Sequence, residues 1–282
     1  MVIESLILPS KAENKPWQMF FIGFLYSTIA IFLSLWIFEK QSSFVMVFLT
    51  VLAAIPIMYN TIKFEETKDT KIKNEKELIK EHNRAIIFLT FLFLGITLSC
   101  IIWYIFLPSN IVSYLFERQT QTITSMNSQI SGNFIQNDLF IKIFLNNTKV
   151  LLFAILFALI YGAGAIFILT WNATVIATAI GNFIRSNIAL YAASTGLVKA
   201  GAYFQIFSLG LLRYAIHGIP EIMAYFYGGL AGGIISVAII RRHYLTKNFS
   251  YIIRDTSQLL LIAFSFLFVA ALLEVYVTPL LF

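Results

Sequence analysis

Cysteine occurs once, histidine three times, and charged side chains make up only 12% of the 282 residues. A lone Cys100 inside an apolar run excludes a disulfide framework and a cysteine-based metal site. The scarcity of charge excludes a water-soluble domain, since 59% of the residues are hydrophobic and the mean hydropathy is +0.82. Strict apolar–polar alternation is missing, which excludes a membrane barrel. No nucleophile motif stands out, and the glycines near 228–233 follow an apolar run rather than a strand, so they form no phosphate-binding loop.

What remains is a series of apolar runs long enough for membrane helices, at 17–38, 44–62, 85–107, 150–170, 219–240 and 259–277. Phe and Tyr, 28 and 13 in number, suit lipid-facing and interfacial positions. The first run is longer than a signal core and has no small-residue cleavage site before Glu39, so it is expected to be retained. Between 172 and 218 lies a less regular region with Arg185, Lys199 and Arg213, read as one crossing plus a re-entrant or interfacial helix. The fold class is therefore all-α and polytopic, with about seven transmembrane helices.

Lys and Arg set the orientation. With the N-terminus cytoplasmic, thirteen fall inside (at 11, 15, 63–84 and 241–254) and four outside (Lys40, Arg118, Lys142 and Lys149). The +6 net charge is thereby a topology signal and implies no nucleic-acid partner. The expected partner is the lipid bilayer of the cell membrane. On this topology His82 and His243 lie on the cytoplasmic side and His217 near the external one, which disfavours a three-histidine zinc site. No metal and no cofactor is expected.

Three sections follow. Residues 1–108 form an N-terminal three-helix section, whose 63–84 linker carries seven basic and six acidic side chains and is expected to be a solvated helical extension. A docking site for a cytoplasmic protein is the alternative for that linker. Residues 109–147 form a polar external loop in which "DLFIKIF", capped by Asp138, is expected to lie on the membrane. The "NNT" triplet at Asn146 is a formal glycosylation sequon, but too close to the membrane for modification. Residues 148–282 form a membrane core.

In that core "HGIPE" places His217, Gly218, Pro220 and Glu221 within five positions. Gly218 is expected to end one helix and Pro220 to open the next, leaving imidazole and carboxylate on either side of a corner. The glycines of "YGGLAGG" (Gly228 and Gly232, Gly229 and Gly233) are spaced for close helix packing, within the chain or across a homodimer seam. "YGAGA" gives the fourth run a similar small face through Gly162, so these two spans are expected to pack together. Asn172, Asn182, Arg185, Arg213 and Glu274 add polar groups at membrane depth, with Arg185 or Arg213 expected to pair with Glu221 or Glu274.

The stretches "IFLNNTKVLLFAILFALIYGAGAIFILTWNATVIATAIG", "HGIPEIMAYFYGGLAGGIIS" and "LLLIAFSFLFVAALLEVYVTP" resemble the stage II sporulation protein M family, in particular its archaeal branch. The resemblance covers 144–279, and its polar marks fall on Asn147, Asn172, Gly181, His217, Gly218, Glu221 and Gly232. It implies a non-enzymatic membrane scaffold or assembly factor with an unidentified membrane or cytoplasmic protein partner. The residues alone leave two alternatives: a transporter or channel with a broken-helix site at His217 and Glu221, or an intramembrane hydrolase using the same pair.

Overall fold

The computed structural model describes residues 15–72, 74–130, 136–190, 196–246 and 249–281, so Lys11, Lys73 and Lys247 of the charge tally lie outside the described residues. These residues form helices and no strand. In chain order they are α1 (Gln18–Phe38), α2 (Ser42–Lys71), α3 (Glu75–Phe106), α4 (Ser109–Leu115), α5 (Glu117–Ile130), α6 (Gln136–Tyr161), α7 (Ala165–Leu190), α8 (Gly196–Ile240), α9 (Phe249–Leu272) and α10 (Thr278–Leu281). Short 3-10 turns join α1 to α2 and follow α8, and a π-helical turn, Leu273–Val277, follows α9. Six segments are long and apolar enough to cross a membrane. The first, Gln18–Lys71, contains both α1 and α2, which pack on each other. The protein is an all-α polytopic membrane protein.

α1 shows what a bilayer does to sequence pattern. Its buried stripe is mostly small or polar (Gly23, Ser27, Ala30 and Ser34, beside Met19 and Ile31), whereas Phe21, Leu25, Ile29 and Phe32 are exposed. Lipid tails solvate the large apolar residues, so close packing is left to the small ones. α1 lies parallel to α3 through a glycine on each: a Cβ on Gly23 would stand 2.2 Å from the Leu92 carbonyl oxygen, and one on Gly95 2.0 Å from that of Phe20. Hydrogen bonds from Ser27 to Cys100 and from Thr28 to Ser99 continue the seam.

The core differs from expectation in where the chain turns. The run 150–170 is not one span: α6 ends at Tyr161, Gly162 takes φ +66°, and α7 starts back at Ala165. Only glycine adopts that left-handed conformation without strain. Conversely, "HGIPE" is no corner. α8 runs unbroken through Gly218 and Pro220 for 45 residues, about 67 Å at 1.5 Å per residue. Gly218 is helical, and a Cβ there would meet nothing within 4 Å. Proline removes one ladder bond, freeing the Ile216 carbonyl, and membrane helices tolerate this where protein or polar groups surround the gap. The described residues within 172–218 thus belong to two regular helices, one ending at Leu190 and the next starting at Gly196, rather than to an irregular crossing with a re-entrant piece.

The external segment also corrects the expectation of a loop. Residues 109–130 are helical as α4 and α5, and "DLFIKIF" belongs to the first turns of α6, where Leu139, Phe140 and Phe144 pack against Ala271 and Val275. The buried side of that segment packs on α9 and the turn after it, while Ile141 and Leu145 remain exposed on its other side.

α8 is antiparallel to α7, with Gly229 on Ala165 and Gly210 on Phe183, and parallel to α6. A Cβ on Gly232 would lie 2.7 Å from the Ile155 carbonyl oxygen, one on Gly228 2.4 Å from Leu151, and one on Gly233 2.7 Å from Ile62. All four glycines of "YGGLAGG" are thus covered by α2, α6 and α7 of the same chain, and their face is not free to form a dimer seam.

These contacts rank glycine substitutions. Gly162→Ala is expected to cost about 1–2 kcal/mol for its left-handed backbone, and Gly232→Ala to lower the melting temperature by forcing α6 and α8 apart. Gly218→Ala is expected to leave stability unchanged or raise it by about 0.5–1 kcal/mol, since helix-interior glycine is unfavourable. Thermal unfolding in detergent checks the order. A Gly218→Ala loss as large as that of Gly162→Ala would restore the corner.

Candidate functional site

Glu221, Tyr225, Gly228 and Gly232 follow one another at four-, three- and four-residue steps, which places them on one face of a continuous helix. The glycines press that face against α6. One to three turns earlier the same face opens into a recess of about 470 Å³, lined by His217, Gly218, Glu221, Glu274, Asn147 and Asn172. Trp171, Tyr214 and Phe153 add apolar wall, and Thr122 of α5 reaches its rim. The π-helical turn widens the backbone where Glu274 enters.

Within the recess Tyr225 donates a 2.6 Å hydrogen bond to Glu221, and His217 Nδ1 lies 3.3 Å from Thr278 Oγ1. His217 and Glu221 therefore share a face but are bonded to different partners. Asn172 donates to the Ile168 carbonyl at 2.8 Å. Neither expected arginine pair forms: Arg185 donates to the Tyr104 carbonyl and Ser109, while the Arg213 guanidinium lies over the Phe183 ring. Asn182 is exposed, away from the recess, and Gly181 accommodates the Tyr104 ring, to which a Cβ would approach within 2.7 Å. Two carboxylates, Glu221 and Glu274, thus face one recess with no ion-pair partner among the described residues.

Beyond Glu221 the recess is closed. Tyr225, Phe226, Leu230, Ala231 and Ile234 are fully buried, and the glycine seam leaves no gap between α6 and α8.

A second polar assembly lies at the other end of the bundle, where the linker was expected to be solvated. Instead, Glu65, Glu66, Asp69 and His82 are buried. Glu66 pairs with Arg241, which also donates to Thr67, and lies 2.7 Å from His243 Nδ1. His82 Nδ1 is 2.7 Å from Glu65, and its Nε2 is 3.0 Å from both Asp69 and Asp255. Lys68 pairs with Glu65 at 2.7 Å and reaches Glu81 at 3.4 Å. The His82 ring thus stands among three carboxylates, hydrogen-bonded to Glu65 and Asp255 and in close contact with Asp69. Sequence reading missed this assembly because its members come from α2, α3 and α9. The available signal was four acidic positions spaced 65, 66, 69 and 81 around His82 on two adjoining helices.

No curated protein and no solved structure matches the chain significantly. The sequence model of one family, Stage II sporulation protein M, matches residues 84–279, which takes in α6 to α9, the recess and most of α3. The match covers well over half of the 282 residues, and the chain belongs to the Stage II sporulation protein M family.

Proposed function

We propose that the protein is a non-enzymatic scaffold or assembly factor of the cell membrane, and that its recess docks a partner protein. The observation that carries this reading is the recess itself, open at one end and closed at the other by Tyr225 and the glycine seam. A blind recess with two carboxylates, an imidazole and two asparagines suits a cationic or hydrogen-bonding side chain presented from outside. A carrier would need a second opening, and the packed faces of α6 and α8 stand where it would run. Family membership supports the same reading.

In this arrangement the N-terminus is cytoplasmic, the Glu66–Arg241 end is cytoplasmic and the recess opens outside the cell. Cys100, buried and bonded to Ser27, gives a silent background for labelling introduced cysteines. Gln121→Cys, exposed on α5, is expected to react with an impermeant maleimide in intact cells, and Lys76→Cys only after permeabilisation. The reverse pattern would invert the topology.

A photo-reactive residue at Thr122 or Ile176, both in the recess lining, is expected to crosslink one protein in native membranes. Glu221→Gln and Glu274→Gln should each weaken that capture about 10–100-fold, the effect of losing a charge-assisted hydrogen bond of about 1.5–3 kcal/mol. An unchanged melting temperature must accompany the loss. Solute or ion flux in proteoliposomes that disappears in the Glu221→Gln, His217→Ala double variant would replace docking with transport.

A further inference from the structure

Asp69, His82 and Asp255 come from three helices, α2, α3 and α9, and each is at least nine-tenths buried. Their ligand atoms all lie within 4.8 Å of one another. Hydrogen bonding does not account for the arrangement. His82 Nε2 carries at most one proton, and of its two contacts at 3.0 Å only the one to Asp255 Oδ2 has hydrogen-bond geometry. Asp69 Oδ1 and Oδ2 and Asp255 Oδ1 are buried and accept no hydrogen bond. These are buried, unpartnered oxygens aimed into the site.

Charge makes the same point. With Glu65, Asp69 and Asp255 all ionised, the ion pairs recorded for them among the described residues are to Lys68 and the His82 ring, and even a protonated ring leaves one buried negative charge over. A divalent cation beside a neutral imidazole, together with Lys68, brings the assembly to zero. Glu81, which Lys68 also reaches, is partly exposed and paired with Arg84.

We propose that Asp69 Oδ1, His82 Nε2 and Asp255 Oδ2 bind a divalent first-row transition-metal ion that clips α2, α3 and α9 together. Glu65 accepts from the far ring nitrogen at 2.7 Å, the outer carboxylate that fixes the tautomer and orientation of a ligating histidine. An oxygen 3.0 Å from His82 Nε2, as Asp69 Oδ1 and Asp255 Oδ2 each are, would on bonds of about 2.1 Å subtend about 90° with it at the ion, nearer an octahedral than a tetrahedral angle. One imidazole with carboxylate oxygens in that geometry suits Mn²⁺ or Fe²⁺ better than the all-oxygen preference of Mg²⁺ or Ca²⁺. The free oxygens of Asp69 and Asp255 are placed to complete the shell. Asp69 and His82 precede the family-matched stretch and Asp255 lies within it, so the site ties this chain's N-terminal section to the family core. It is independent of the recess, which lies on the opposite side of the bundle.

The test uses the full-length chain with its tag removed, stripped with EDTA and titrated with MnCl₂, bound ion being read from loss of the free Mn²⁺ resonance signal. One ion per chain is expected, with ZnCl₂ competing. Asp69→Asn and Asp255→Asn should each weaken binding more than tenfold, Glu65→Gln about 10–100-fold, and His243→Ala should leave it unchanged. Chelation should lower the melting temperature of the wild-type protein but not of Asp69→Asn, which loses surplus charge and no hydrogen bond. No saturable binding of Mn²⁺ or Zn²⁺, or binding that survives Asp69→Asn and Asp255→Asn, overturns the site. So does a wild-type melting temperature indifferent to EDTA, which decides the matter even where the variants fail to fold.

Discussion

The approach of α8 to α6 at Gly232, where the α6 backbone occupies the space a side chain would need, sets everything else in place. A helix is rigid about its own axis, so seating one face fixes the direction of every residue along it. With Gly228 and Gly232 pressed on Leu151 and Ile155, Tyr225 and Glu221 must look the same way. They meet the recess rather than lipid because α6 and α9 bound that side. The other end follows from the same register, which carries Arg241 to Glu66. No hydrophobic effect separates helix from lipid within the bilayer, so contact at this distance depends on small residues and dispersion.

That constraint explains which parts of the fold were legible in the sequence. Apolar runs announced the helices, and the spacing of glycines in "YGGLAGG" announced the seam with the fourth run. The turn was misplaced. Glycine and proline together at 218 and 220 carry the strongest helix-breaking signal on soluble-protein rules, yet neither contributes a break. "YGAGA", read as a packing face, supplies the reversal through the left-handed Gly162. Local composition does not distinguish the two, because both are small residues inside apolar runs. The difference is tertiary: α6 and α7 must reverse within three residues, whereas α8 has neighbours along its whole length.

The polar groups divide similarly. Of the polar groups flagged in the sequence, His217, Glu221, Asn172 and Glu274, with Asn147 from the family resemblance, line one recess, whereas Asn182, Arg185 and Arg213 do not. Their bonding was not legible. Tyr225 as the partner of Glu221 follows from i,i+4 geometry only once the helix is known to be continuous. The buried assembly around His82 was invisible for the opposite reason. Its residues sit in a stretch of alternating charge that reads as solvated, and burial there depends on α9 returning to lay Asp255 against the α2–α3 hairpin.

α8 with the residue after it, and α9 with the turn after it, each carry a polar anchor on either side of an apolar stretch, Glu221 lying midway along α8. α8 contributes Glu221 to the recess and Arg241 to the Glu66 pair; α9 and the turn after it contribute Asp255 and Glu274. The twenty residues from Glu221 to Arg241 and the nineteen from Asp255 to Glu274 each span about 30 Å, the thickness of the hydrocarbon core. Between the anchors both helices present apolar or small residues to one another, with Tyr227 stacked on Phe266 at 5.7 Å. An ionisable group displaced by one or two turns would enter that dry layer, where its charge is costly. The polar ends therefore do more than tolerate the membrane: they define the axial register in which α8 and α9 can pack, while the glycine seam defines the rotation. A recess open on one side and a charge-rich clasp on the other are what two such helices leave when register and rotation are both fixed.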